Sequence, residues 1–144
     1  MISESRKNGY EITSTIADPN LNGAVLLDLR TSADFHVSHL SGAINLPLAS
    51  LEPTTSSPFA DSNILEAQWL ELERSFSPEH NPLAGVLLKL LAGQTVVTLC
   101  YDGDTARVAS SVLRAKAINA FSIKGGMRNL PASLKEEWLC SRHG

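Results

Sequence analysis

The chain is short of cysteine, aromatic residues and positive charge, and has no long apolar run. Each shortage excludes a class of protein. Two cysteines in 144 residues, Cys100 and Cys140, cannot form the disulfide framework of a small secreted domain, so reduced cytoplasm is the expected compartment. Twelve Lys and Arg against fifteen Asp and Glu leave a formal charge of -3. Nucleic acid and anionic membrane both call for a basic surface, so neither is an expected partner. The apolar run Pro82–Ala92 is too short to span a bilayer and carries Lys89. Residues 1–10 hold no apolar stretch of the secretory kind. A domain cut from a longer polypeptide would read the same way.

What is present is an ordinary globular composition, 43% hydrophobic and 19% charged, on a length that suits one domain. The expected domain covers residues 12–139, with tails at 1–11 and 140–144. Breaker-rich segments at Pro53–Pro58 and Ser77–Pro82 read as surface loops. Four short apolar runs, Ala24–Leu29, Gly42–Leu46, Thr95–Leu99 and Ala120–Ile123, are nearly continuous rather than alternating, as in parallel strands covered on both faces. Helical patterns lie between them. Ser32 caps a short helix through Val37. Leu65, Trp69, Leu72 and Phe76 form one stripe at offsets of four, three and four. Leu83–Ala92 is a third helix, stopped by Gly93. Ala106–Ala117 is a fourth, with Val108, Val112 and Ala115 inward and Arg107, Ser111 and Arg114 outward. Ser133 and Glu136 have the spacing of a capping box. Strands alternating with helices imply an α/β layer fold with right-handed crossovers, whose ligand sites lie beyond the carboxyl ends of the strands.

That rule points to the residues after Leu99: Cys100-Tyr101-Asp102-Gly103-Asp104-Thr105, then a helix. Backbone N–H groups in such a loop turn inward to form an anion-binding hollow, and the helix N-terminus adds partial positive charge. Both favour thiolate, the form that attacks sulfur. The plain alternative is a small buried hydrophobe at the end of a strand.

The wider sequence bears on that choice. Leu27-Asp28-Leu29-Arg30, Phe35 and His39-Leu40-Ser41-Gly42-Ala43-Ile44-Asn45, succeeded in order by Val97-Thr98-Leu99-Cys100, its six-residue loop and Gly125-Gly126, resemble the rhodanese family from about Ile12 to Leu139. The resemblance implies a three-layer α/β fold with a central, mostly parallel sheet of about four to five short strands and helices on both faces. It also implies a sulfurtransferase that carries sulfane sulfur on Cys100 as a persulfide. The backbone amides of Tyr101 to Thr105 would form the cradle, with the Thr105 hydroxyl within reach of the persulfide. The expected partners are a small sulfur donor or a protein persulfide, and a thiol or protein acceptor; no cofactor is implied.

Several positions depart from the family pattern. Tyr101 stands where Arg is frequent, and Leu130 where many relatives have Trp. Asp102 and Asp104 make the loop rim acidic, which opposes thiolate formation and repels dianions such as thiosulfate. Arg107, Lys124 and Arg128 would offset that charge if they face the mouth. Asp28 and Arg30 are expected to brace the sheet end as an ion pair, and His39 to hydrogen-bond backbone within the turn before Gly42. His36 and His39 lack further ligands at metal spacing, so no metal site is expected. The helix from Asp61 to Phe76 reads as a docking surface or as elaboration of the fold, and Cys140 as a resolving thiol or an incidental one. Two rival functions stay open: a noncatalytic interaction module of a larger protein, and a phosphatase or arsenate reductase on the same fold. The latter needs Cys-x5-Arg, whereas residue 106 is Ala106 and Arg107 falls one place late.

Overall fold

A computed structural model describes residues 15–16, 23–47, 62–130, 135 and 139–141. The loop at Pro53–Pro58 and the capping pair Ser133–Glu136 lie outside them. Three of the nearly continuous apolar runs, at 24–29, 95–99 and 120–123, become the inner strands of a parallel sheet covered on both faces, whereas the run Gly42–Leu46 supplies an edge strand on which Ile44 is exposed. Strands β1 (Thr15–Ile16), β2 (Ala24–Asp28), β4 (Ile44–Asn45), β5 (Thr95–Leu99) and β6 (Asn119–Ile123) form a five-stranded sheet ordered β1-β6-β5-β2-β4. Every neighbouring pair in it is parallel. Two further strands that the apolar pattern did not show, β3 (Ser38–Leu40) and β7 (Leu139–Ser141), pair antiparallel as a separate ribbon. Cys140 and Ser141, expected in a tail, therefore belong to a strand whose backbone registers with His39 and Ser38.

Four α-helices join the strands among the described residues: α1 (Ser32–Val37), α2 (Ser62–Ser75), α3 (Ala84–Leu91) and α4 (Asp104–Ala115). Helix α1 is capped by Thr31 rather than Ser32. The Thr31 hydroxyl accepts from the Asp34 N–H at 3.2 Å, while Ser32 already lies inside the first turn. On one face of the sheet, Leu27, Val96 and Ala120 pack with Leu65, Trp69 and Leu72 of α2, Phe76 just after it, Leu91 of α3, and Val108 and Val112 of α4. Each fully buried Val, Leu or Phe among them contributes roughly 1.5–3 kcal/mol by leaving water. On the other face, Leu26, Val97, Leu99 and Ile123 pack with Leu40, Leu130 and half-buried Leu139. The place of the family's frequent Trp is thus filled by an aliphatic core residue.

Helix α4 differs from the amphipathic reading. Ser111 is buried and Ala115 exposed, because α4 packs against α2 as well as the sheet and so has more than one covered face. Helix α3 ends at Leu91, one residue short of the expected Ala92, and Gly93 takes the expected left-handed conformation with φ 76°.

Candidate active site

Strand β5 lies between β2 and β6 at the centre of the sheet, so the residue after Leu99 emerges where three strand ends meet. The ladder runs to the rim: Leu29 N–H donates to the Leu99 carbonyl at 2.8 Å. Cys100 is next, and the chain turns through Gly103 (φ 97°) directly into α4. This turn aims two amides at sulfur. The N–H groups of Gly103 and Ala106 donate to Cys100 Sγ at 3.1 and 3.3 Å. The cradle therefore extends one residue beyond the six-residue loop, to Ala106 in the first turn of α4, a position sequence reasoning passed over because its side chain carries no chemistry. The amides of Asp102 and Thr105 also favour the ionised sulfur.

Burial works against them. Cys100 is 2% exposed, and its removal from water pushes the thiol above its ordinary value despite the four amides that pull it down. The expected net stabilisation of thiolate is corrected on this point. A single charge in a dry setting loses more hydration than amide dipoles restore.

The loop side chains do not converge on the sulfur. Tyr101 is buried, its hydroxyl donating to Asp34 Oδ2 and accepting from the Thr31 N–H at 3.3 Å. Two guanidinium groups approach its ring, Arg30 at 5.9 Å and Arg128 at 5.7 Å from the centroid. Burial and the Asp34 bond raise the phenol above its ordinary value. Tyr101 thereby ties the loop to the start of α1. The Thr105 hydroxyl, expected at the persulfide, donates instead to Gln68 Oε1 of α2 at 3.0 Å. Both residues are only 4% exposed. Gln68 was missed, although a polar residue on the buried face of the α2 stripe is itself a signal that something polar faces it.

The acidic rim is partly neutralised. Arg128 Nη1 donates to both carboxylate oxygens of Asp102, at 2.9 and 2.8 Å, with both side chains about half exposed. Asp104 lies 3.9 Å from Arg107 Nη1, which places the Arg107 guanidinium beside that carboxylate on α4. Lys124 is exposed.

Behind the loop, Asp28 and Arg30 form a buried pair with Nη2 to Oδ2 at 2.9 Å and Nε to Oδ1 at 3.1 Å. Arg30 also donates to the Ser38 carbonyl at 2.7 Å, joining the sheet end to β3. Asn45 Nδ2 donates to the carbonyls of Asp28 and Arg30 at 3.0 Å each. His39 donates from Nδ1 to the Phe35 carbonyl at 2.8 Å and stacks on the Phe35 ring. Its backbone partner is therefore in α1, upstream, and not in the turn before Gly42, because the ring folds back over Phe35. From the far side, the segment after β6 braces the loop. Met127 N–H donates to the Cys100 carbonyl and Arg128 N–H to the Tyr101 carbonyl, at 2.9 and 3.0 Å. Gly126 makes this approach feasible, since a Cβ there would lie 2.6 Å from the Cys100 carbonyl oxygen.

Among the described residues, no group of three or more His, Cys, Asp or Glu is placed to hold a metal. The His36 and His39 Nδ1 atoms are both engaged with backbone carbonyls. An open groove of about 520 Å³ is lined by Ala67, Leu70, Glu71, Arg74, Ser75, His80 and Asn81, and includes no residue of the Cys100 loop. The Cys140 side chain lies outside the described residues. No described helix is long and apolar enough to cross a membrane.

A family model for the rhodanese-like domain matches residues 11–132. No curated protein matches the chain. Among solved structures, a Rhodopseudomonas palustris protein of unknown function, described as a possible tyrosine phosphatase, aligns with a TM-score of 0.53 at 15% identity over 89% of each chain. The protein hp1203 of Helicobacter pylori aligns with a TM-score of 0.52 at 13% identity over 88% of each chain. The reduced Bacillus anthracis CoADR-RHD gives 0.51 at 17% identity, covering 84% of this chain and 16% of that one. At these identities the likeness is one of fold.

Proposed function

The chain belongs to the rhodanese-like domain family, and from that premise we propose that it is a sulfurtransferase whose nucleophile is Cys100. One observation carries the reading: the N–H groups of Gly103 and Ala106 both point at Cys100 Sγ, at the carboxyl end of the central strand. Such a hollow suits a terminal persulfide, whose negative charge sits on the outer sulfur and needs donors that do not have to reorganise. In the proposed cycle the Cys100 thiol first gives its proton to solvent. The thiolate then attacks the outer sulfur of a donor such as thiosulfate, forming the S–S bond while sulfite leaves with the bonding pair. An acceptor thiolate next attacks the outer sulfur of Cys100–S–S⁻, leaving as its own persulfide and returning the Cys100 thiolate. The donor is a small sulfane compound or a protein persulfide, the acceptor a thiol, and the setting a reducing cytoplasm.

A second reading, a noncatalytic module of a larger protein, is favoured by one observation, the 2% exposure of Cys100. The phosphatase reading loses support from the arginine it would need: Arg107 lies beside Asp104, and the Thr105 hydroxyl is held by Gln68.

The test is intact-protein mass spectrometry after incubation with thiosulfate, mercaptopyruvate or glutathione persulfide. One added sulfur, mapped to Cys100, removed by cyanide or dithiothreitol and absent in Cys100→Ser, is the expected result. A protein that gains no sulfur from any of the three donors belongs with the noncatalytic reading.

A further inference from the structure

A glutamine on the buried face of a helix needs a reason, because its amide must give up water. Gln68 lies among Leu65, Trp69 and Leu72 on the inner side of α2 and is 4% exposed. Its oxygen accepts the hydroxyl proton of Thr105, 37 residues along the chain, at 3.0 Å. Thr105 is equally buried and is the last residue of the cysteine loop. The next peptide nitrogen, Ala106 N, is one of the two that donate to Cys100 Sγ.

A threonine side chain held at its hydroxyl has little freedom at χ1, so its backbone is held with it. Fixing Thr105 from α2 therefore fixes the orientation of the Thr105–Ala106 peptide. The other supports of the loop act elsewhere. Met127 and Arg128 hold the carbonyls of Cys100 and Tyr101, and Tyr101 is tied to α1. In the first turn of α4, Arg107 Nη1 lies 3.9 Å from Asp104 and the Thr98 hydroxyl donates to the Ala106 carbonyl at 2.7 Å, beyond the Ala106 N–H; the Gln68 bond holds the residue just before that N–H.

We propose that Gln68 is a positioning residue for the sulfur cradle: it acts through Thr105 to keep the Ala106 N–H aimed at Cys100, which makes α2 a working part of the site. The proposal rests on Cys100 being the reactive residue, but its test reads the thiol itself and needs no turnover.

The measurement is the pH profile of Cys100 alkylation by iodoacetamide, with peptide mapping to separate Cys100 from Cys140. Gln68→Met keeps the length and apolar packing of the side chain and removes the acceptor. Its alkylation midpoint is expected to rise by roughly half to one pH unit, the range set by the net worth of one neutral hydrogen bond. Thr105→Val removes the donor from the other side and is expected to give a rise of similar size. The double variant should add little to either single one, because both remove the same bond. Melting curves establish that each variant is folded where it is read. An unmoved or lowered midpoint in folded Gln68→Met, or fully additive shifts in the double variant, would overturn the proposal. Failure of sulfur loading on the parent protein would overturn the transferase reading and leave this measurement standing.

Discussion

Replacing Gly126 by alanine should disable the site while leaving Cys100 in the sequence. Gly126 has φ 64° and ψ -161°, a region almost confined to glycine, which costs another residue on the order of 1–3 kcal/mol. The added Cβ would also sit 2.5 Å from the Tyr101 carbonyl oxygen and 2.6 Å from that of Cys100. Both oxygens are acceptors, from Arg128 N–H at 3.0 Å and Met127 N–H at 2.9 Å. Relieving the clash pulls the two segments apart and weakens both bonds, each worth about 1 kcal/mol net. The combined loss is about 3–5 kcal/mol, a large share of the roughly 5–15 kcal/mol that holds a domain together. Gly93→Ala is the control. Gly93 also has a positive φ, 76°, but no atom beyond its chain neighbours lies within 4 Å of its Cβ position. That change should cost about 1–2 kcal/mol for the left-handed backbone, with a smaller effect on sulfur loading. Urea unfolding reads the first quantity through the midpoint at constant m-value, and mass spectrometry of Cys100 loading reads the second. Equal stability losses in the two variants, or undiminished loading in Gly126→Ala, would refute the argument that close backbone approach requires this glycine.

Two further outcomes are expected from the site's electrostatics. Because burial raises the Cys100 thiol above its ordinary value of 9.0, the unfolded chain ionises first. The stabilisation is complete below the unfolded value and is lost as pH climbs through the folded one. Stability should therefore fall above about pH 9 more steeply in the parent than in Cys100→Ser, and equal slopes in denaturation at pH 8 to 10.5 would contradict this. At the rim, Asp102→Ala removes the carboxylate that Arg128 neutralises and should raise kcat/KM for thiosulfate about two- to fivefold at low salt, the effect of roughly 0.4–1 kcal/mol. A gain that persists unchanged in high salt would show that charge is not its cause.

Much of the fold was legible because it depends on local pattern. Thr95–Leu99 reads as a strand from its unbroken apolar run, and Leu65, Trp69, Leu72 and Phe76 as a helix from their spacing; all four stripe residues are buried. Ribbon β3–β7 was not legible. Its strands are three residues each, about a hundred residues apart in the chain, and their pairing depends on neither apolar period nor turn chemistry. At the site, Cys100 and its loop could be read, since a cysteine between a strand and a helix start carries its own geometry. The partners of the loop side chains could not.

The sequence alone determined an α/β domain, the position of Cys100 at the end of an inner strand, and the hollow of amides that a short glycine-containing loop makes there. Those properties arise within a few residues. Tertiary structure decided the sulfur's ionisation, through burial beneath packed helices, and the occupation of each loop side chain: Tyr101 by Asp34, Asp102 by Arg128 and Thr105 by Gln68. Desolvation and hydrogen-bond choice depend on what the rest of the chain brings into contact, and no spacing along the chain records that.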